Sequence, residues 1–369
     1  MCMKSLFDLY SEQKKSYYQI DCNAGKLFTY NLEESQSECL AFLKQHYEKG
    51  EKEDLFNRDL TPQYNRHGKH THSASLYLLG MTLLSAFKTN INNGLKSFVP
   101  DYASWCEDDY DFQYIWFLPA MYHDFASCIE LGTIHANDSE QHRSLRFHLG
   151  DHNICYSPYR SFPYKVDNIP FRFSPELIEN YFYYRACHGK CEHGIIAGYL
   201  FFDGFVKNFL KKTKDCFNRC GSMNCYGLNW NIGHLTFAAY AADAIICHNI
   251  WLGGKTEKEE YTQYGLTPLV YTAHPENKLS VEEFPLQFML CLLDTIEPIK
   301  RFEDTLSPRE ILQGIKLDST ADDEIVISWD AGIAQQKGFK RWKKGIVDTK
   351  KWMCVRVADE DDHVRITFY

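Results

Sequence analysis

Residues 114–126, Tyr114-Ile-Trp-Phe-Leu-Pro-Ala-Met-Tyr-His-Asp-Phe-Ala126, form an apolar run that ends in two adjacent polar side chains, His123 and Asp124. The run is rich enough in apolar residues to predict a buried helix. Ionisable groups are costly in such surroundings unless they are paired or bound to a metal ion. The sequence therefore predicts a buried polar or metal site at His123 and Asp124.

Four further apolar segments that are typical of helices also carry histidine or aspartate. They contain His72 (residues 71–80), His193 (192–202), Asp243 and His248 (241–249), and Asp294 (286–294). Ionisable side chains that converge from separate apolar helices are typical of a metal site in the core of a helical bundle. We therefore expect a mostly α protein with a metal-binding core.

The composition is that of a globular protein with a sizeable core, since 44% of the 369 residues are hydrophobic and 24% are charged. The net charge of −9 argues against attraction of nucleic acid or an anionic membrane by the whole surface, but leaves a local basic channel open. No apolar stretch has the length of a membrane span, and the amino terminus lacks the features of a signal peptide. We expect a cytoplasmic protein with reduced thiols and no membrane partner.

The chain divides into a long helical part and a short β-rich part. Residues 1–310 are predicted to form the helical metal-binding domain, in which the aromatic-rich and aperiodic residues 133–172 are typical of a flap insertion. Residues 311–369 contain short runs, some alternating with period two, which predict a small C-terminal antiparallel β element.

Local patterns predict the bounds of several elements. Ser174-Pro175 and Ser307-Pro308 are typical of helix starts, with serine as the N-cap and proline at the first helical position. Continuous helices are predicted over residues 230–251 and 281–302, and strands over 17–20 and 26–30 precede a helix over 34–47. His123 and Asp124 are placed on a helix, where consecutive side chains project about 100° apart.

The candidate metal ligands are the imidazoles and carboxylates of the apolar segments, namely His72, His123, Asp124, His193, His248 and Asp294. Such ligands suit Mn, Fe, Co, Ni or Zn better than calcium. Six ligands that include one shared carboxylate are enough for two ions, so the expected cofactor is a pair of divalent metal ions. Two ions about 3.5–4 Å apart can share a hydroxide and clamp a phosphate ester for in-line attack.

The order His…His-Asp…His…His…Asp over about residues 66–300 resembles the HD superfamily of metal-dependent phosphohydrolases. His72, the pair His123-Asp124 and Asp294 match the four residues of the mononuclear site in that family. His193 and His248 match the two additional histidines of binuclear members, which include cyclic-dinucleotide phosphodiesterases, nucleases and di-iron oxygenases.

The resemblance implies an HD-like helical bundle that hydrolyses a phosphate ester through a metal-bridging hydroxide. The expected ester is that of a nucleotide. His123 and Asp124 are then the catalytic residues. Apart from the resemblance, Arg185 lies about two turns before His193 if the helix is continuous, and is a candidate phosphate contact, with a surface salt bridge as the alternative. The implied partner is a small phosphorylated substrate, with nucleic acid as an alternative. Rival functions are a nuclease on single strands, a di-iron oxygenase on the same ligands, and a non-enzymatic HD scaffold.

Several assignments have alternatives in the sequence. His70 or His67 could replace His72, and His234 lies on the same predicted helix as His248. Asp243 could orient an imidazole or be an ordinary hydrogen-bonded carboxylate. Position 249 is asparagine where several binuclear members of the HD superfamily have a second consecutive histidine.

Other polar regions have interpretations of their own. Cys187, His188, Cys191 and His193, together with Cys216, Cys220 or Cys225, could bind a structural zinc ion, although their spacing also suits unpaired thiols. Arg143, Arg146, His148 and Arg160 on the flap could close over an anionic substrate. Lys207, Lys211 and Lys212 could attract a phosphate or lie at a solvated helix end. The basic run 337–344, with interleaved aromatic residues, could bind single-stranded nucleic acid or form a charged hairpin loop.

Overall fold

The structure of the protein, a computed structural model, contains helices in all five segments that hold the candidate ligands. It describes residues 3–12, 43–44, 69–83, 89–90, 93, 110–127, 140–160, 169–213, 223–225, 228–230, 232–252, 258–318 and 323–369. The strands predicted over 17–20 and 26–30 lie outside the described residues, as does the helix predicted over 34–47 except for residues 43–44.

The described chain is mostly helical. In chain order its elements are β1 (Lys4–Ser5), α1 (Leu6–Glu12), α2 (Lys69–Thr82), α3 (Tyr110–Tyr122), α4 (Leu145–Asp151), α5 (Pro175–Cys187), α6 (His193–Thr213), β2 (Met223–Cys225), β3 (Leu228–Trp230), α7 (Ile232–Cys247), α8 (Glu259–Gln263), α9 (Pro285–Ile296), α10 (Ile299–Phe302), α11 (Pro308–Gly314), β4 (Ile315–Asp318), β5 (Glu324–Trp329), α12 (Ala331–Ala334), α13 (Phe339–Asp348), β6 (Val355–Asp359) and β7 (His363–Phe368). The prediction of a mostly α fold with a small C-terminal antiparallel β element is confirmed. Among the helices described, none is both long and apolar enough to cross a membrane.

The small residue Gly80 lets α2 approach α3 closely. A Cβ atom at Gly80 would lie 2.1 Å from Trp116 Nε1, far inside van der Waals contact. The indole N–H of Trp116 donates to the carbonyl oxygen of Tyr77 at 3.0 Å, which satisfies the buried indole. The helix that carries His72 is therefore held directly against the helix that leads into His123.

A second close approach brings α6 against α7. A Cβ atom at Gly198 would lie 2.5 Å from Ile246 Cγ1 and 2.7 Å from the carbonyl oxygen of Ala242. The facing residues of α7 are small or buried aliphatic side chains, so the two helices pack with little space between them. This packing fixes the start of α6, where His193 lies, relative to the end of α7, where His248 follows.

The helix of the opening apolar run ends earlier than predicted. α3 ends at Tyr122, and His123 and Asp124 lie in the turn that follows, so their placement on a helix is wrong. Pro119 lies inside α3 and has no N–H to donate, which removes one helical hydrogen bond close to this end. The N–H of His123 still bonds back to the carbonyl oxygen of Pro119 at 3.1 Å.

The continuous helix predicted over residues 281–302 is also wrong, because α9 ends at Ile296 and α10 starts at Ile299. Pro298 is the cause, since a residue that precedes proline avoids the helical region. Glu297 accordingly has φ −58° and ψ 122°. The helix predicted over residues 230–251 is shorter than expected, with strand β3 up to Trp230 and α7 ending at Cys247.

Both serine-proline helix starts are confirmed. The hydroxyl of Ser174 accepts a hydrogen bond from the N–H of Leu177 at the start of α5. Ser307 and Glu310 form a reciprocal capping box at the start of α11. Both patterns are local, and the structure preserves them because they satisfy N–H groups that have no partner within the helix.

The C-terminal sheet has five antiparallel strands in the order β1-β4-β5-β7-β6, so a strand from the amino end forms one edge. The β-rich runs predicted to start at residues 324, 352 and 363 correspond to β5, β6 and β7, although β6 starts only at Val355. Beside the sheet, Trp342 of α13 is buried and its indole N–H donates to the carbonyl oxygen of Ile296 at 3.1 Å. The C-terminal element thus supports the end of α9, close to Asp294. A domain boundary at residue 310 stays a prediction.

Candidate metal centre

The six predicted ligands lie together although five separate segments carry them. His72 and Asp294 are inside α2 and α9, His123 and Asp124 follow α3, His193 is the first residue of α6, and His248 follows the last residue of α7. Three of the five segments thus present their residues at or just beyond a helix end, and close helix packing places these ends side by side.

The first half of the centre contains His72, His123 and Asp294. His72 Nε2 lies 3.2 Å from His123 Nε2 and 3.0 Å from Asp294 Oδ1. His123 Nε2 lies 3.4 Å from the same Asp294 oxygen. The imidazole nitrogens and the carboxylate oxygen therefore point at a common position.

Asp124 joins this half to a second one. Its Oδ2 lies 3.7 Å from Nε2 of both His72 and His123, while its Oδ1 lies 3.1 Å from Nε2 of His193. Donor atoms of His72, His123 and Asp124 lie within 4.8 Å of one another, and so do those of Asp124, His193 and His248. One carboxylate is thus shared by two histidine groups, each of which could hold a metal ion.

The remaining ring nitrogens fix the orientation of three imidazoles. Nδ1 of His72 lies 2.7 Å from Glu297 Oε2, Nδ1 of His123 lies 3.2 Å from a backbone carbonyl oxygen, and Nδ1 of His248 lies 2.6 Å from another. Each Nδ1 that donates a hydrogen bond leaves Nε2 of the neutral ring as a lone-pair donor. Two such lone pairs only 3.2 Å apart, on His72 and His123, need a proton or a cation between them. This arrangement fits a metal ion.

Burial keeps one of these histidines neutral. Burial, together with the neighbouring rings of His123 and His193, lowers the pKa of His248 to about 3, although Asp294 and a backbone hydrogen bond oppose the shift. His248 therefore carries no charge near pH 7, which is the protonation state of a histidine that binds a metal ion.

The carboxylates around His72 oppose the effect of burial on its pKa. Burial and the ammonium of Lys300 lower the pKa of His72, but the carboxylates of Glu297 and Asp294 outweigh them and raise it. Burial would likewise raise the pKa of Asp294, yet Lys300, His123 and His72 hold it well below its usual range. Asp294 is therefore an anion, and its charge favours the protonated form of His72, with which a bound cation would compete.

Glu297 is a functional candidate that the sequence analysis missed. It is fully buried, and its carboxylate accepts hydrogen bonds from His72 and from the N–H of Ile299 at 2.9 Å. Burial raises its pKa, but His72 and its other hydrogen bonds outweigh this and lower it. A carboxylate behind a ligand histidine fixes the ring and increases its basicity. A glutamate in an otherwise apolar run, one helical turn beyond Asp294, was the signal available in the sequence.

Two more polar side chains contact the centre. The amide nitrogen Nδ2 of Asn249 lies 3.1 Å from Nε2 of His193 and 2.8 Å from Nε2 of His248. The ammonium of Lys300 donates to Asp294 Oδ1. In the sequence, Asn249 is notable only as a departure from the HD pattern, and no local pattern marks Lys300.

The position of His248 depends on a glycine in the facing helix. A Cβ atom at Gly194 would lie 2.6 Å from Cε1 and 2.8 Å from Nδ1 of His248. The imidazole therefore occupies the space in which any larger residue at position 194 would place its side chain.

Arg185, the predicted phosphate contact, is held by an acidic neighbour. Its Nε lies 3.1 Å from Oε2 of the buried Glu192, beside His193. Asp243 accepts hydrogen bonds from Tyr159 and Cys247, in agreement with the ordinary-carboxylate alternative. Lys207 pairs with Asp203 at 3.0 Å, so the interpretation of this lysine as part of a solvated helix end is wrong.

The structure describes only some of the alternative metal ligands that the sequence offered. His67, Cys216 and Cys220 lie outside the described residues, as do the side chains of His70, Lys211, Lys212, Cys225 and His234. Within the described part of the chain, the groups that could hold a metal ion include no cysteine. His188 of the zinc interpretation pairs instead with Glu260 at 3.0 Å.

The flap is ordered where it is described. Ser144 caps α4, and the backbone N–H groups of Cys155 and Tyr156 donate to buried Asp203 at 2.7 and 3.0 Å. Arg146 is exposed, whereas His148 is buried and bonds the carbonyl oxygen of His142. Closure of Arg143, Arg146, His148 and Arg160 over a substrate stays a prediction.

The basic run 337–344 is helical rather than a hairpin loop, and most of it lies on α13. Its aromatic residues face inward: Trp342 is 1% exposed, and Phe339 packs edge-on against Trp329 with ring centroids 5.0 Å apart. Base stacking needs an accessible aromatic face. The run therefore presents charge to solvent but not a stacking surface from Trp342.

Comparison with known proteins does not assign the chain to a family. No protein-family profile matches it, and no match is found among characterised proteins or among solved structures.

Proposed function

We propose that this protein is a metal-dependent phosphohydrolase that hydrolyses a phosphate mono- or diester of a nucleotide. The observation that carries the proposal is the position of Asp124, whose two oxygens face two separate groups of histidines. Carboxylates in this position link the ions of two-metal hydrolytic sites. The nucleotide is taken from the resemblance to the HD superfamily.

Each half of the centre has a defined set of residues in this proposal. His72, His123, Asp124 and Asp294 would hold one ion, and Asp124, His193 and His248 the other. Divalent ions at these positions would neutralise charge on the phosphoryl oxygens and lower the pKa of water towards neutrality. Mn, Fe, Co, Ni and Zn all suit the mixed imidazole and carboxylate set.

The residues around the ligands would keep the imidazole rings in a fixed orientation. Glu297 holds the ring of His72, and backbone carbonyl oxygens hold the rings of His123 and His248, so the donor atoms stay aligned when the substrate binds. In the reaction, water forms a new bond to phosphorus, the ester P–O bond breaks, and a proton from the water passes to the departing alkoxide. Each hydrolysis yields one alcohol and one phosphate or phosphomonoester.

Elemental analysis of the purified protein, combined with an ester screen, tests the proposal. We expect divalent metal in the isolated protein and, with Mn or Co under anaerobic conditions, hydrolysis of a nucleotide or cyclic dinucleotide. Asp124→Ala should abolish the activity, whereas His363→Ala, in the C-terminal sheet, should not change it. Activity that requires oxygen would favour the di-iron oxygenase, and metal-free protein without turnover would favour the scaffold.

A screen with single-stranded DNA and RNA separates the nuclease from the nucleotide hydrolase. The burial of Trp342 favours the small substrate, since the indole of the basic run is not free to stack on bases. Cleavage of single strands without hydrolysis of nucleotides would replace the proposal by the nuclease.

A further inference from the structure

Solvent reaches the candidate metal centre more at Asp294 and His193 than at His72, His123 and Asp124. The side chains of Asp294 and His193 are 18% and 13% exposed, whereas those of His72, His123 and Asp124 are 1%, 0% and 7% exposed. A substrate that approaches the centre therefore comes past Asp294 and His193. We call the surface at Asp294 and His193 the opening of the centre, and side chains beside it can contact a substrate first.

Lys300 brings a cation to this opening. Its side chain is 16% exposed, and its ammonium donates to Oδ1 of Asp294. The same oxygen lies 3.0 Å from Nε2 of His72. The positive charge of Lys300 thus lies directly beside the position at which the donor atoms of the first half converge.

The backbone that carries Lys300 is fixed to the centre. Glu297 accepts from the N–H of Ile299 at 2.9 Å and from that of Lys300 at 3.4 Å, while its carboxylate also holds His72. The break at Pro298 turns the chain so that α10 begins at this carboxylate. The same carboxylate therefore fixes the backbone of Lys300 and the ring of His72, while the four-carbon stem of the lysine stays flexible.

Metal binding changes what this lysine can pair with. A divalent cation bound to Asp294 would neutralise the carboxylate and would repel an ammonium a few ångströms away. The flexible stem of Lys300 lets the ammonium move off the carboxylate without moving α10. A partly buried ammonium that has lost its anion needs another one, and the anion that enters this opening is that of the substrate.

We propose that Lys300 is the anion-binding residue of the centre, which contacts a non-bridging oxygen of the substrate phosphate when metal occupies Asp294. This inference rests on the proposed phosphohydrolase function. It gives Lys300 the role that the sequence analysis assigned to Arg185, whose guanidinium faces Glu192 instead. Lys300 thereby selects for substrates that carry a negative charge at the scissile group.

Calorimetric titration of the Mn-loaded protein with inorganic phosphate tests the role without relying on turnover. Lys300→Met keeps the length of the side chain and removes the charge. We expect its phosphate affinity to fall roughly ten-fold to a hundred-fold, as for the loss of a charge-assisted hydrogen bond. Its metal content should match that of the wild type. Lys300→Arg should retain phosphate affinity to within a few-fold, and Arg301→Met, at the next and exposed position, is the matched control.

Steady-state kinetics give a second readout. Lys300→Met should raise KM for a phosphate ester by more than it lowers kcat, since the contact already exists in the bound substrate. Equal phosphate affinity of wild type and Lys300→Met would overturn the inference, as would wild-type protein that binds no phosphate. A change in metal content alone would also overturn it, by showing that Lys300 only neutralises Asp294. Intact, Lys300-dependent phosphate binding without ester turnover would instead count against the proposed function alone.

Discussion

Nδ1 of His72 lies 2.7 Å from Oε2 of Glu297, although 225 positions separate the two residues in the chain. Both side chains are buried, at 1% and 0% exposure, so water does not weaken the contact. The bond orients the ring so that Nε2 faces His123 and Asp294.

Removal of the charge behind His72 should weaken metal binding. Glu297→Gln keeps the shape of the side chain but not its charge, so His72 becomes less basic and less firmly held. We expect the affinity for Mn to fall about 10–100-fold, measured by competition with a chelating dye. Glu282→Gln, at an exposed position outside the centre, serves as the control. Unchanged affinity in Glu297→Gln would show that the ring needs no support from the carboxylate.

Single substitutions should distinguish the two halves of the centre by the number of metal ions that each variant loses. Because Asp124 contacts both histidine groups, Asp124→Ala should lose both ions, whereas His248→Ala should lose only the second. Elemental analysis gives the metal content per chain, and His363→Ala is the histidine control. Asp124→Ala and His123→Ala should also abolish turnover while circular dichroism shows that the helices remain. Two bound ions in Asp124→Ala would contradict the shared carboxylate.

A methyl group at position 194 should disturb His248. In Gly194→Ala the new Cβ would lie 2.6 Å from Cε1 of the imidazole, so the ring must move away. We expect the loss of the second ion and a destabilisation of about 1–3 kcal/mol, typical of overpacking. Gly150→Ala is the control, because a Cβ there meets nothing within 4 Å. Metal analysis and urea unfolding measure the two effects. Full metal content in Gly194→Ala would show that the ring is free to move.

Asp243 should make stability depend on pH. Burial raises its pKa from 3.8 to about 6, although hydrogen bonds from Tyr159 and Cys247 oppose the shift. The folded state therefore binds a proton more tightly than the unfolded state between these values, and stability falls as pH rises through this window. The penalty is absent below about pH 4 and reaches about 3 kcal/mol above pH 6.

Asp243→Asn removes this dependence while the amide oxygen can still accept from Tyr159. We therefore expect the variant to gain stability relative to the wild type as pH rises from 4 to 7, in urea unfolding of the metal-free protein. Asp151→Asn, at an exposed position on α4, is the control. A difference between wild type and Asp243→Asn that does not change with pH would contradict the raised pKa.

Local sequence patterns predicted much of this fold. Apolar runs predicted the helices around His72, His193 and His248, serine-proline pairs predicted two helix starts, and alternation predicted the strands at the carboxyl end. These features depend on periodicity and on hydrogen bonds between near neighbours, so a single segment contains the information. The order of histidines and aspartates, through its resemblance to the HD pattern, likewise named six side chains that lie together, although it left His67, His70 and His234 as alternatives.

The tertiary structure decided which polar side chains complete the centre and how its residues are presented. His123, Asp124 and His248 lie just beyond helix ends rather than on helices, a boundary that the apolar character of their segments did not reveal. The contacts of Glu297 with His72, and of Lys300 with Asp294, depend on the break at Pro298 and on the approach of α9 and α10 to α2. Contacts between residues far apart in the chain leave no local pattern, because they arise only when separate helices pack.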